Sequence, residues 1–558
     1  MFRNLFVWVI LVVTAVAGLR HYTFNHTAQY NYGNTSKTEQ LDYVSIGNRT
    51  RVDHKTEEKE SEDRGGEKNS VGTSFEVENP FQRDGIEAIE TPPIGNIDDN
   101  VPDSATGCAI EVHTNNGPVR GHDFQLNPSI CAYIDIPYGK IEGRFQAPLE
   151  ADPWTEAHEE REHTKICPQI LNEDRIIGDE NCLVLSIFTS KEIEDVPVLF
   201  HIHDGNFNEG SGDPAMFGPE FIVPRGVVLV LPNFRVGPLG YLCLRNSTAP
   251  GNAALKDLTL ALRWVNDNIQ QFGGDPTKIT ISGDGKAGAL ASLLALSPQS
   301  RNLFTKAITE SGSVLSPWAI DRHPVEKGLK LGNMLCEDDD ECKSPYESLE
   351  EAPLSSLLTI SFKNEFKFVP CIEMDTEDAF LTETPWSILK SNIMNTTFLV
   401  GSADRSGMHE ALMHNSATLE HLNKDRESLL PADLVFDDSK DKTEATNDIT
   451  TLYFEDEDIT EERKDELTKY YTDALYLGPS VRMARALVAA GATVYLYEFS
   501  YVGGLNRERN TLSVPVEGAA RGDLSGYLFA QEDMKPDEED ENMINFIMEL
   551  WISFMRTG

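Results

Sequence analysis

Positive charge is what this chain is shortest of. Its 48 lysines and arginines face 91 aspartates and glutamates, a net charge of −43 over 558 residues. That balance argues against nucleic acid or anionic membrane as a partner. Long apolar runs are nearly absent as well, and past residue 19 nothing is apolar for long enough to cross a bilayer. Calcium loops are missing: the acid clusters Glu337–Glu341, Glu455–Asp458 and Asp537–Glu541 lack ligand spacing with a turn glycine, and they read as solvated surface. No internal repeat, metal motif or cofactor motif is present, so the expected cofactor and metal content is none.

The one apolar run is at the start. Residues 1–17 read as a secretory signal, with Arg3 ahead of the apolar stretch Leu5–Val13 and Ala15-Val16-Ala17 as a small-residue cleavage site. The alternative is an uncleaved N-terminal anchor, but the uncharged run Asn4–Leu19 falls short of the ~20 residues a spanning helix wants. A secreted, extracellular protein is expected. From 18 to 105 large apolar residues thin out, and the segment reads as an extended or disordered tail. It carries the N-glycosylation sequons at Asn25, Asn34 and Asn48, and two more stand at Asn246 and Asn395. Eight cysteines fit an oxidising compartment.

The rest of the chain, 106–558, is organised around Lys278–Ser292. Ile279-Thr280-Ile281 has strand character, Gly283 and Gly285 force a turn, and from Ala287 the pattern is an apolar helix. Strand, sharp turn and helix make a nucleophile elbow, G-x-S-x-G. Here it reads Gly283-Asp284-Gly285-Lys286-Ala287, an elbow without its serine. Upstream, Leu255, Leu258, Leu262, Val265, Ile269 and Phe272 fall three and four apart, the stripe of a helix with one buried face. Further strands are expected at Val198–Ile202, Val227–Leu231, Lys306–Thr309, Phe398–Gly401 and Thr493–Phe499, with helices between them. That alternation predicts an α/β fold with a large, mostly parallel sheet.

The stretch ALRWVNDNIQQFGGDP through KITISGDGKAG resembles the type-B carboxylesterase/cholinesterase family of α/β-hydrolases. So do GPVRG at Gly117–Gly121, IPYGK at Ile136–Lys140, ENCLVLSIF at Glu180–Phe188, LPNFRVGPLGYL at Leu231–Leu242, AITESGS at Ala307–Ser313 and VYLYEFSY at Val494–Tyr501. The resemblance implies an α/β-hydrolase domain. WISFMRTG matches a family helix that a further segment normally follows, which makes the domain C-terminally short by comparison.

The resemblance also assigns the catalytic positions. The nucleophile position is Gly285, the acid position in the turn Gly401–Gly407 is Ser406, and the histidine position in GAARGDLSGYLF is Arg521. All three triad residues are thus replaced while the framework around each is kept, and no enzyme activity is expected. The oxyanion region, HGGGF in the family, reads His203-Asp204-Gly205-Asn206-Phe207, with Lys286 after the elbow. Asp204 puts a negative charge where an oxyanion would need donors. Ser282 as a displaced nucleophile and His203 as a base are weighed and set aside in favour of packing roles. Arg521 is expected to pair with a carboxylate, Asp284 first and Asp204 second, plugging the old site. Arg521-Gly522-Asp523 spells RGD, but at a pocket floor rather than on an exposed loop.

The resemblance implies disulfides Cys167–Cys182 and Cys336–Cys342. Cys108 with Cys131 is one option, buried free thiols the other, and Cys243 and Cys371 stay unassigned. Within the family the chain looks most like the non-catalytic cholinesterase-like adhesion branch (glutactin, neurotactin, gliotactin, the neuroligins), glutactin in type. That implies binding to an extracellular protein. The alternatives are a small-ligand carrier that uses the former pocket and, behind it, residual ester hydrolysis.

Overall fold

The computed structural model describes residues 23–32, 35–46, 107–108, 111–172, 175–191, 193–337, 344–392, 394–436, 438–512 and 516–558. An eleven-stranded mixed sheet runs through them. Its strands are β1 (Thr23–Tyr32), β2 (Thr35–Ile46), β3 (His122–Phe124), β4 (Asn127–Pro137), β5 (Val184–Ser190), β6 (Val196–Ile202), β7 (Val228–Pro232), β8 (Gly274–Asp284), β9 (Lys306–Glu310), β10 (Thr397–Ala403) and β11 (Val494–Phe499). The order is β1-β2-β11-β10-β9-β8-β6-β7-β5-β4-β3. Neighbours from β2 to β7 are parallel. Those from β7 to β3, and the β1–β2 pair, are antiparallel.

The parallel part follows from strands that are apolar without alternation. Ile279, Thr280, Ile281 and Ser282 of β8 are all fully buried, as a central strand covered on both faces requires. The strand starts earlier than its β-branched core suggests, because Val196 of β6 pairs with Gly274 before a register shift.

Helices cover the two faces. On one lie α1 (Ala253–Asn268) and α2 (Lys286–Leu296), packed on β6 and β8. All six residues of the expected stripe, Leu255 to Phe272, are buried. Gly273, at φ 85°, ends the turn that follows α1. On the other face α3 (Glu538–Thr557) lays Ile547, Met548, Trp551 and Met555 over Leu229, Leu231 and Ile308. Asp537 and Asp540 close its N-terminus as a capping box. These layers hold the ends of β6, β8 and β10 fixed against one another, and the site is built there.

Three disulfides tie the described chain: Cys108–Cys131, Cys167–Cys182 and Cys243–Cys371. The first settles the open choice for the N-terminal pair in favour of a bridge, and the third joins two cysteines left unassigned. Cys336 is disulfide-bonded, and Cys342 lies outside the described residues.

Of the tail expected over 18–105, the described part is extended: β1 and β2 form a hairpin, and Ser45 and Ile46 pair with β11. Residues 1–17, Asn34 and Asn48 lie outside the described residues, and Asn25 falls in β1. Asn246 accepts the Thr248 and Ala249 N–H groups on its side-chain oxygen, and Asn395 is exposed. No helix among the described residues is long and apolar enough to cross a membrane.

Candidate functional site

The elbow forms as the sequence predicts. β8 ends at Asp284, Gly285 turns with φ 56° and ψ −118°, and α2 begins at Lys286. The turn is pinned by the Gly285 N–H, which donates to the Glu310 carbonyl at 2.8 Å. A side chain strains that backbone, and glycine does not. A side chain there would also have to push its neighbours aside: a β-carbon on Gly285 would stand 2.5 Å from Asp204 Oδ2 and 2.8 Å from Arg521 Nη1.

Those two atoms belong to an ion pair. Arg521 Nη1 donates to Asp204 Oδ2 at 2.7 Å, with both side chains largely buried. The other Asp204 oxygen accepts the Asn206 N–H at 3.3 Å. The carboxylate of Asp204 thus occupies the site as an internal anion, bonded to a backbone donor of the former oxyanion loop.

Asp284, ranked first as the partner of Arg521, is not its partner. Both of its carboxylate oxygens are buried without a hydrogen bond. Burial, and then the Glu310 carboxylate one strand away, push its pKa well above the carboxylate range. That shift favours the protonated form of Asp284, and the guanidinium pairs with the more accessible Asp204 instead. Glu310 itself is raised to about 7, chiefly by burial, while Ser311 Oγ donates to its Oε1 at 3.0 Å.

Ser406, the acid position, is buried in a hydroxyl cluster. Its Oγ bonds to Ser311 Oγ at 3.0 Å, to the Ala403 carbonyl at 2.8 Å and to Ser402 Oγ at 3.3 Å. A bridge between Arg405 and Ala520 sets this turn beside the loop that carries Arg521. The structure thus brings Gly285 and Arg521 into contact. Ser406 sits on the neighbouring turn, where it faces Ser311.

Neither rescue residue is placed for catalysis, although His203 borders what is left of the pocket. Ser282 is fully buried and hydrogen-bonds His201 Nδ1 at 2.9 Å, a pair closed off by the rings of Phe217 and Phe529. His203 stacks on Phe234, and burial lowers its pKa to about 4. The RGD aspartate is interior too: Asp523 is fully buried and accepts the Ala520 and Arg509 N–H groups.

Sequence reasoning missed Tyr476, Trp318 and Glu410. Lys286 Nζ stands 3.8 Å from the centroid of the Trp318 ring and 3.4 Å from Tyr476 Oη, which donates to Glu410 Oε1. Tyr476 also faces the Arg521 guanidinium, 5.8 Å from its ring centroid. It is carried on a π-helical turn, Thr472–Leu477, the kind of irregularity that often marks functional sites. No local pattern in the sequence announces that turn. What is left of a pocket is a cavity of about 10 Å³ bordered by His203, Asp204, Glu209 and Lys286, room for about one water.

Strand, elbow, helix and oxyanion loop in this arrangement define an esterase-type α/β-hydrolase. The Carboxylesterase family profile matches residues 109–558, and the chain belongs to that family. Relatives include venom carboxylesterase-6 of Apis mellifera, 31% identical over 58% of this chain and 61% of that protein. Acetylcholinesterase of Bungarus fasciatus is 28% identical over 80% of this chain and 78% of its own length. Among solved structures, juvenile hormone esterase from Manduca sexta superposes with a TM-score of 0.71 at 23% identity, covering 80% of this chain and 90% of that one.

Proposed function

We propose that this member of the carboxylesterase family is a secreted, glycosylated protein that hydrolyses no ester and acts by binding an extracellular protein, as the cholinesterase-like adhesion proteins do. The relatives compared above are named for ester hydrolysis, so the reading departs from them, and one observation carries the departure. The Arg521–Asp204 ion pair fills the space into which a nucleophile at Gly285 would project. A base is missing as well, since a guanidinium is always charged and takes up no proton.

A carrier role for the former pocket finds no support in a cavity of about 10 Å³. The interaction surface is left to the exterior, where Glu455–Asp458 and much of the remaining acid are exposed.

Two assays on the secreted protein test this. Short-chain aryl esters and an organophosphate label should give no turnover and no adduct above a folded non-enzyme. Beads coated with the protein should bind cells saturably, and the binding should vanish when the cell surface is trimmed with protease. Turnover that follows the protein through repurification, or cell binding indifferent to protease, overturns the reading.

A further inference from the structure

We propose that the outward face of the helix Ser439–Phe454 is a docking surface for a basic extracellular protein, with Leu452 as its apolar anchor. This names the chemistry of the partner and rests on the protein-binding reading given above.

The helix has two unlike sides. Thr446, Ile449, Tyr453 and Phe454 turn inward, the last three onto a small core that includes Leu429 and Tyr470. Glu444, Asp448 and Leu452, four residues apart, share the opposite face and are exposed. Glu455 ends the row, about 16 Å along from Glu444 at the helical rise. Leu452 is 75% exposed between Asp448 and Glu455. A lone exposed leucine is ordinary, but this one stands in a row of carboxylates that do not serve the helix. Glu444 and Asp448 repel each other at that spacing. Glu455 opens the acid run Glu455–Asp458 at the C-terminal end, where the helix dipole disfavours negative charge.

Charge decides what can cover this face. Residues 425–466 hold 16 acidic and five basic residues. Four of the five, all but Lys440, are held in ion pairs inside the stretch. Among the described residues no ion pair includes Glu444, Asp448 or Glu455. The carboxylates do not converge either: among the described residues no group of three acidic, His or Cys side chains could hold a metal ion. A second copy would present the same negative face, so like charges oppose self-pairing. The complement is a cationic surface, with lysines or arginines around an apolar socket that takes Leu452. Opposite charges speed its approach, and the buried leucine slows its release.

The test measures the full-length secreted protein against two probes: the cells of the bead assay, and a synthetic helical peptide with lysines four apart around a leucine. The face variant is Glu444→Gln with Asp448→Asn and Glu455→Gln. Its control, Asp375→Asn with Glu377→Gln and Asp378→Asn, makes the same change of charge on another exposed segment. The face variant should raise half-saturation about tenfold for both probes, through slower association and a shallower salt dependence, and the control by less than about twofold. Leu452→Ala should speed dissociation several-fold and leave association unchanged. A face variant no weaker than the control, or unchanged dissociation in Leu452→Ala, overturns the proposal. Binding lost in EDTA would assign the face to a bridging cation, and self-association abolished by Leu452→Ala would assign it to a second copy. Either result overturns it too. If the wild-type protein binds no cells, the protein-binding reading fails, and the peptide alone decides the surface.

Discussion

Arg521 Nη1 and Asp204 Oδ2, 317 residues apart in sequence, meet at 2.7 Å directly over the elbow. Both side chains are mostly withdrawn from water, so each depends on the other for compensation. Truncating either one strands a charge, a change that costs roughly 3 kcal/mol in partly buried settings. Asp204→Ala and Arg521→Ala should each lower the urea midpoint accordingly, and the double variant should lose less than the sum. Strict additivity would show that the two side chains do not support each other.

The same pair sets what restoration of the triad can achieve. Gly285→Ser with Ser406→Glu and Arg521→His returns the three side chains but leaves Asp204 in place, now without its cation. The β-carbon that Gly285→Ser introduces would still crowd the Asp204 carboxylate, and a carboxylate beside a developing oxyanion raises the barrier. The triple variant should therefore show no aryl-ester turnover above control. Adding Asp204→Gly and Asn206→Gly is the smallest set expected to yield any. Turnover by the triple variant alone would show that the loop is not an obstacle.

Much of this site was legible because α/β elements announce themselves locally. The Leu255–Phe272 stripe, the Ile279–Ile281 core and the Gly283/Gly285 turn carry their own periodicity, and the structure places each as read. The choice between Asp284 and Asp204 was not legible. It depends first on the burial of Asp284, which raises its pKa, and then on Glu310, which lies beside it only because β8 and β9 pair in register and which adds to the rise. Adjacency in sequence favoured Asp284, and burial reversed the choice. Tyr476 and Trp318 escaped notice for a related reason, since an aromatic residue on a distant loop or a π turn looks like core until the fold brings it to Lys286.

Cys243–Cys371 closes a loop across 128 residues. Gly251 sits so close that a β-carbon there would meet both sulfurs. Cross-links of that span restrict the unfolded chain most, with about 2–5 kcal/mol the usual loss on removal. Cys243→Ser with Cys371→Ser should lower stability within that range without changing the Cys108–Cys131 or Cys167–Cys182 bridges in a non-reducing peptide map. The same map should link Cys336 to Cys342. Free thiol at any of the eight cysteines of secreted protein would contradict the pairing.

Stability should pass through a minimum near neutral pH, because two buried groups titrate towards 7 from opposite sides. Glu310 moves up, from 4.5 to about 7, because of burial. The folded state therefore holds a proton that the unfolded state gives up, so the contribution is full below about pH 4.5 and is lost as pH climbs to about 7. Asp523, raised to about 6 mainly by burial, adds to the same descending limb. Lys286 moves the other way, from 10.5 to about 7, also through burial. Between those values the unfolded chain binds the extra proton, so stability returns as pH rises from about 7 towards 10.5. Urea midpoints at about pH 5, 7 and 9 should trace the dip, with each limb of order 1–3 kcal/mol. Glu310→Gln should make the acid limb shallower, leaving the share of Asp523 and Asp284, and Lys286→Met should flatten the alkaline limb only. The general repulsion of a chain at net −43 is common to all three proteins and drops out of the comparison. If both variants followed the wild-type curve in parallel, neither group would be titrating as its surroundings require.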